Sequence, residues 1–464
     1  MGKKSSDTMA PTAQALTGDS NAVAIMNEVH TLYTRADDGI VALARQVGLT
    51  VHPPRRKVNV LIIGNHSAGK SSFINWYIDD NIQRTGVAIE TQGFTIVTSG
   101  SKKTLAPIKG ESTVMLYPYL EPMKQRFGKP LLENLHTCVS TSTKRFFSMV
   151  DFIDSPGLVD GDISYPFDVN EAVLCLADSV DLVFVFMDPM GQALCSRTMN
   201  VVKLLNQRHF DKLKYYLTKA DTVTNPKELM KLMVQITQNI KERINNQHGL
   251  EIPAFWLPTA KTPIKSSPDM QDDVNQINEV CAVIEKAIHQ KVQDNLSQVE
   301  KDCNAVLHET NAKLAQFELE IAAKKSREMV AVFFSVAAWT VAIVTFLTFV
   351  GEFEQHLPAA VIEANVVMAG LEMVYHDGLR PLLIASDDKL GVVGFLKFFG
   401  ISIALFLVLN GIAKFTHARA HKFATQPLSV IKQWRSHEQT VRAILHRRQE
   451  LFLEYVRTYT AVEN

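Results

Sequence analysis

The chain of 464 residues has no excess of either charge, with 48 Lys and Arg set against 48 Asp and Glu. That balance excludes the broad positive field on which nucleic-acid binding rests, so no nucleic-acid partner is expected. Cysteine is scarce and scattered. Cys138, Cys175, Cys195, Cys281 and Cys303 include no pair at metal-site spacing and give no disulfide framework, which fits a reducing compartment. There are no internal repeats. The opening "MGKKSSDTMAPTAQ" lacks the apolar core of a secretory signal. It does fit M-G-x-x-x-[ST], with Gly2 and Ser6 in place, the pattern of N-myristoylation; the plainer reading is a disordered tail over 1–20 that meets a loose pattern by chance.

What the chain has is a change of pattern along its length. Ile25, Met26, Val29, Leu32, Tyr33, Ile40, Leu43 and Val47 mark one or two amphipathic helices within 21–56, stopped by "HPPRRK". From 57 to 265, short apolar strands alternate with helical stretches. The strand candidates are "VNVLIIG", "FTIVTS", "FFSMVDFID", "DLVFVFMD", "LKYYLTKAD" and "IPAFWLPTA". This is an α/β pattern, a mostly parallel, doubly wound sheet covered on both faces. "KTPIKSSPDMQDD" reads as the exit linker. Residues 273–328 form a helical stalk, with Val299, Cys303, Val306, Leu314, Phe317 and Ile321 on one face. A further helix at roughly 428–459, within the basic segment 414–464, carries Trp434, Val441, Leu445, Phe452 and Tyr455 at similar spacing.

Between those helices lie two long apolar runs. Segment 329–351, "MVAVFFSVAAWTVAIVTFLTFVG", has no charge, and segment 390–413 has only Lys397. Runs of about 20 apolar residues match a bilayer core about 30 Å thick. Lys324, Lys325 and Arg327 precede the first, and Lys414, Arg419 and Lys422 follow the second. The linker 352–389 is acidic. Basic flanks stay cytosolic. The expectation is an integral membrane protein with both termini cytosolic, its two apolar helices spanning as a hairpin or dipping into one leaflet as a paddle.

The stretch "GNHSAGKSS" follows the first strand and fits G-x-x-x-x-G-K-[ST]. Its backbone amides from Gly64, Asn65, His66, Ser67, Ala68 and Gly69 would cradle phosphates, with Lys70 on the β and γ oxygens, Ser71 on Mg²⁺ and Ser72 just inside the helix. Helix 70–78 would turn its positive end toward them. Thr91 sits where a switch threonine closes on Mg²⁺ and γ-phosphate. "DSPG" places Asp154 for Mg²⁺, through water, and the Gly157 amide for the γ-phosphate. "TKAD" offers Thr218, the Lys219 stem to stack on a base, and the Asp221 carboxylate for guanine N1 and N2. "TAK" offers the Ala260 amide to guanine O6. Each lies at the carboxyl end of a strand, where open α/β sheets bind ligands. Phosphoryl transfer needs positioning and charge neutralisation. The residue after "DSPG" is Leu158, which cannot orient water, so Lys70, Ser67, His66 and Thr91 are the catalytic candidates. His66 either positions water or packs on the nucleotide.

With these motifs in hand, "LIIGNHSAGKSSFI", "DFIDSPGL", "ADSVDLVFVFMD" and "LTKADTV" make residues 20 to about 320 resemble the dynamin superfamily, and within it the Eps15-homology-domain (EHD) proteins and sarcalumenin. The resemblance implies a GTPase-type domain embraced by helices from before and after it. It also implies Mg²⁺ and GTP, dimers or higher oligomers formed through the G domain and stalk, a lipid bilayer as partner, and membrane remodelling, with slow turnover raised by assembly. Two departures stand out. No D-x-[DN]-x-[DN]-G loop of an EH module appears; two apolar segments are present instead, similar to fusion-type relatives with membrane hairpins. EHD proteins prefer ATP, whereas Thr218 is the dynamin-type residue. Three readings follow: a GTPase, an ATP-using remodeller, and a nucleotide-gated scaffold with negligible hydrolysis.

Overall fold

The computed structural model describes residues 13–85, 93–160, 165–189, 195–223, 225–244, 250–258, 275–354, 373, 392–422 and 428–463. They fall into two compact units, one from 1–304 with 443–464 and one from 305–442.

In the first unit, β1 (Val58–Gly64) is buried along its whole length. It pairs in parallel with β5 (Val150–Asp154) on one side and β6 (Leu182–Met187) on the other. With β2 (Phe94–Ser99), β3 (Ile108–Lys109), β4 (Leu135–Ser140) and β7 (Leu213–Leu217) it forms a seven-stranded sheet of order β3-β4-β2-β5-β1-β6-β7. The sheet is mixed: β2 runs antiparallel to β5, and β3 antiparallel to β4. β2 with β4 and β6 with β7 are parallel. The helices around it include α3 (Lys70–Ile78), α4 (Gly110–Leu116), α5 (Glu121–Glu133), α6 (Val169–Ala177), α7 (Ser196–His209) and α8 (Pro226–Arg243). The core joins both layers: Leu61, Ile153, Val183 and Val185 of the strands pack with Val173, Leu176, Val202 and Leu205 of α6 and α7.

Four details differ from the pattern read in the sequence. The strand expected to begin at Phe146 begins at Val150. Arg145 and Phe146 take left-handed backbone, φ 46° and 57°, and the Arg145 guanidinium caps the carbonyls of Trp76 and Tyr77 at the end of α3. The stretch from Ile252 is no full strand. It makes one bridge, Leu217 to Ala254, because Pro253 has no N–H and contributes only its carbonyl. Helix α1 (Ala13–Thr34) begins inside the expected tail, where Ala, Gln and Leu favour helix. The stalk and first apolar segment are one helix, α9 (Ile277–Glu354), since no Gly or Pro interrupts the chain between them.

Helical segments complete this unit. α1 and α2 (Ile40–Val47) bury Ile25, Met26, Val29, Leu32, Tyr33, Ile40, Leu43 and Val47. The Tyr33 hydroxyl donates to Asp302 of α9 at 2.6 Å. In the last helix, α11 (Leu428–Glu463), Arg447 forks onto Glu28 at 2.6 and 2.9 Å, and Arg448 reaches Glu300 at 2.6 Å. Phe452, expected on the packed face of α11, turns outward, with the Arg448 guanidinium 5.5 Å from its ring. Asp181 joins strand to helix: it accepts from the Asn59 amide and from Lys291 of α9, both at 2.9 Å.

In the second unit, α9 runs antiparallel to α10 (Val392–Lys422), with Trp339 beside Phe406 at 6.2 Å and Phe349 beside Phe399 at 6.3 Å. Small residues bury at this seam, including Ala331, Ala338, Ala413 and Ser402. Outward stand Phe333 (69% exposed), Trp339 (63%), Phe346 (61%) and Ile401 (69%). Large apolar side chains turned outward with small ones inside is the arrangement of helices packed in lipid, and the reverse of a soluble pair. The buried hydroxyls of Thr345 and Thr348 bond to their own helix, at 2.7 and 2.8 Å. Most of the acidic linker, 355–372 and 374–389, lies outside the described residues.

Candidate nucleotide site

The phosphate loop is dictated by backbone conformation. Gly64 takes φ 155°, and a Cβ there would meet the Phe186 carbonyl oxygen at 2.3 Å, so only glycine fits where β1 passes β6. Ser67 and Gly69 take φ 59° and 82°, the left-handed turns that aim successive amides into one concavity. The Ala68 amide bonds back to Asn65 O at 3.2 Å and Phe73 N–H to Gly69 O at 2.8 Å, which starts α3 directly under the loop.

Lys70 is buried, and its ammonium spans the loop, donating to Gly64 O at 3.2 Å and Asn65 O at 3.0 Å. Burial pushes its pKa down, opposed by the Asp154 charge. Burial pushes the Asp154 carboxyl up, opposed by Lys70 and by the Ser71 hydroxyl. Ser71 Oγ donates to Asp154 Oδ2 at 2.5 Å, while Asp154 Oδ1 is buried with no hydrogen-bond partner. An unsatisfied carboxylate oxygen in the interior is costly. Paired with a serine hydroxyl beside a phosphate cradle, it fits a hard, oxygen-seeking cation such as Mg²⁺.

The loop after Asp154 is knitted to the phosphate loop. Ser155 N–H bonds to Ile62 O at 3.3 Å and Leu158 N–H to Gly64 O at 3.1 Å. Gly157 passes so close to His66 that a Cβ would lie 2.9 Å from the His66 Cα. His66 and Ser67 are half-buried at the loop's outer bend, and Ser72 is half-buried in the first turn of α3.

At the third corner, Thr218 is buried. Its hydroxyl lies 2.8 Å from Ala68 O and 3.1 Å from Met187 O, so it braces the phosphate loop against the end of β6. Lys219 takes left-handed backbone, φ 53°, and pairs with buried Asp188 at 3.2 Å. Asp221 is exposed in the short turn that follows. The structure thus brings Gly64, Asn65, His66, Ser67, Ala68, Gly69, Lys70, Ser71, Ser72, Asp154 and Gly157 together, with Thr218 holding Lys219 and Asp221 beside them. Thr91 and Ala260 lie outside the described residues.

Sequence reasoning missed three residues. Thr198, in the first turn of α7, donates to Asn65 Oδ1. Asp188 anchors Lys219. Asp160 caps α7 from the post-DSPG loop, accepting from Ser196 N at 2.7 Å and Arg197 N at 2.8 Å. The acidic residues at the strand end "FMD" and after "DSPGLV" were the available signals.

Residues 59–220 match the family described as 50S ribosome-binding GTPase. Over 209 residues the chain is 24% identical to EH domain-containing protein 3 of Homo sapiens and 25% identical to EH domain-containing protein 1 of Bos taurus. Over this stretch the chain is thus similar to P-loop GTPases and to the EH domain-containing proteins. Each match covers 43% of the chain and 38% of the relative, so the chain spans well under half the length of these EHD relatives. One solved structure with similarity is an oligomerised bacterial dynamin pair, described as providing a mechanism for the long-range sensing and tethering of membranes. It is 13% identical, with a TM-score of 0.41, covering 97% of this chain and 81% of that one. Toc33 from Arabidopsis thaliana is 14% identical with a TM-score of 0.33, covering 60% of this chain and 93% of that one.

Proposed function

We propose that the chain is a membrane-integral, dynamin-like GTPase. It hydrolyses GTP to GDP and phosphate and couples nucleotide-dependent self-assembly to remodelling, tethering or fusion of membranes. The observation that carries this reading is the Ser71–Asp154 pair with its unsatisfied Oδ1 beside the Gly64–Lys70 loop, in a chain whose helices α9 and α10 turn large apolar side chains outward.

The amides of the loop bind and orient the phosphates, and the Lys70 ammonium exchanges two carbonyl partners for phosphate oxygens. Ser71 and Asp154 would hold Mg²⁺, which neutralises charge on the β and γ oxygens when bound. The Gly157 amide reads the γ-phosphate. His66, held against Gly157, and Ser67 stand where attacking water is oriented, with Thr91 proposed as the switch ligand. Lys219 and Asp221 face the base, and Ala260 is proposed for guanine O6. The apolar helices lie in the bilayer with the G domain and both termini on the cytosolic side, where nucleotide is available. Dimers or higher oligomers through the G domain and the α9 stalk supply the coupling.

The deciding experiment measures phosphate release by the full-length protein with GTP and with ATP, with and without liposomes. GTP turnover that rises on liposomes is expected. Preference for ATP would replace the base assignment, and absence of turnover with intact binding would leave a nucleotide-gated scaffold.

A further inference from the structure

The peptide joining Gly157 to Leu158 is fixed at both of its polar ends. Its N–H, from Leu158, donates to Gly64 O of the phosphate loop at 3.1 Å. Its carbonyl, on Gly157, accepts from the Tyr165 hydroxyl. Two hydrogen bonds on opposite edges of a peptide define its plane. The plane sets ψ of Gly157, and through that residue the direction in which the Gly157 amide can point. Glycine needs such help, since its own backbone preferences are weak.

Tyr165 is itself held. The Arg197 guanidinium sits over its ring, 5.3 Å from the centroid, a cation–π contact. Arg197 belongs to the first turn of α7, and that turn is fastened to both nucleotide loops. Its amide and that of Ser196 donate to Asp160, downstream of Gly157, and the Thr198 hydroxyl donates to Asn65 in the phosphate loop.

The geometry points to Tyr165 as a positioning residue for γ-phosphate recognition: its hydroxyl, set by Arg197 from α7, holds the Gly157 peptide in the orientation that distinguishes a nucleoside triphosphate from a diphosphate. This rests on the reading of the loop as a guanine-nucleotide site. Tyr165 and Arg197 touch neither nucleotide nor water in this scheme; they act through Gly157.

The test uses the full-length protein and Tyr165→Phe, which keeps the ring under Arg197 and removes only the hydroxyl. Affinities for GDP and for a non-hydrolysable GTP analogue are measured with Mg²⁺, alongside kcat and KM for GTP. Analogue affinity and kcat are expected to fall about fivefold, the scale of one neutral hydrogen bond, with GDP affinity unchanged. Arg197→Ala is expected to move the same two quantities in the same direction, and Arg197→Lys, which keeps a cation for the ring, to restore most of the loss. Equal losses for GDP and analogue would show a merely structural role and overturn the proposal, as would a Tyr165→Phe protein indistinguishable from wild type. Wild-type protein that binds neither nucleotide overturns the site reading itself, an outcome distinct from both.

Discussion

The Ser71 hydroxyl donates to Asp154 Oδ2 at 2.5 Å, leaving Asp154 Oδ1 buried and unpartnered. The two residues come from different elements, the start of α3 and the end of β5, and meet because β1 and β5 pair in parallel with Ile62 opposite Asp154. The register of two strands therefore decides that a hydroxyl and a carboxylate converge below the phosphate loop.

Asp154→Asn tests that convergence. The amide keeps a hydrogen-bond acceptor for Ser71 and loses the negative charge. The gain in GTP-analogue affinity produced by Mg²⁺ over EDTA should shrink about tenfold, the scale seen when groups behind a metal's ligands are changed. Titration calorimetry in the two buffers measures it, and an undiminished Mg²⁺ gain would remove Asp154 from the metal's surroundings.

Lys70→Ala should abolish measurable binding of GTP and GDP. Each charge-assisted hydrogen bond to phosphate is worth about 1.5–3 kcal/mol, and the lysine supplies the loop's positive charge. The far-UV circular dichroism spectrum should persist, because Lys70 bonds only to carbonyls of its own loop. Retained nucleotide affinity would sink the assignment of the loop.

Asp221→Asn addresses the base. A carboxylate offers two acceptors to guanine N1–H and N2–H; the amide offers one acceptor and one donor. GTP binding should weaken by about 1–3 kcal/mol, and binding of xanthosine triphosphate, whose O2 is an acceptor, should strengthen. Competition between the two nucleotides reads this directly, and tighter binding of ATP than GTP by the wild type would refute it.

Legibility in the sequence followed locality. β1 was plain because all of its seven residues but Asn59 are apolar or glycine and all seven are buried, and the Gly, Lys and Ser of the phosphate loop lie within a single turn of chain. β4 was not seen: "LHTCVS" mixes polar His136, Thr137 and Ser140 with its apolar residues, so it resembles a loop until pairing with β2 buries most of it. β3, of two residues, is too short to carry a period. Thr198 and Asp188 reach the site only through the packing of α7 and the placement of β6 beside β1, which no spacing along the chain encodes. Thr218 was read in the sequence as a nucleotide-site residue; its hydroxyl faces Ala68 O and Met187 O, a bracing role that strand-end motifs do not reveal.

Asp160 gives a pH dependence with a defined sign. The Cys195 thiol, then the backbone amides of Arg197 and Ser196, hold its carboxyl below the ordinary 3.8. A depressed native pKa means that the unfolded chain takes up the proton first. The cap's contribution is therefore fully present above about pH 3.8 and is lost as pH falls through the lower native value. Urea unfolding of wild type and Asp160→Ala across this range should show a stability gap that is constant at neutral pH and closes in acid. A gap that widened in acid would contradict the cap.

The two apolar helices make a topological prediction. Their outward Phe, Trp and Ile side chains suit a lipid surrounding, and in the proposed topology the basic residues before the first and after the second lie on the cytosolic side. Spanning hairpin and half-inserted paddle both satisfy this, and both resist carbonate extraction, so the linker's side decides. Its apolar part, "PAAVIEANVVMAGLEMVY", would suit a membrane surface in either case. With Cys138, Cys175, Cys195, Cys281 and Cys303 replaced, a single cysteine is placed at Glu363, a position outside the described residues. In sealed vesicles with the G domain outward, an impermeant maleimide should label it only after the membrane is opened. A control cysteine at Asp221, exposed in the G domain, should label at once. Labelling of position 363 in intact vesicles would exclude the spanning hairpin and leave the paddle, with the whole chain on one side of the bilayer.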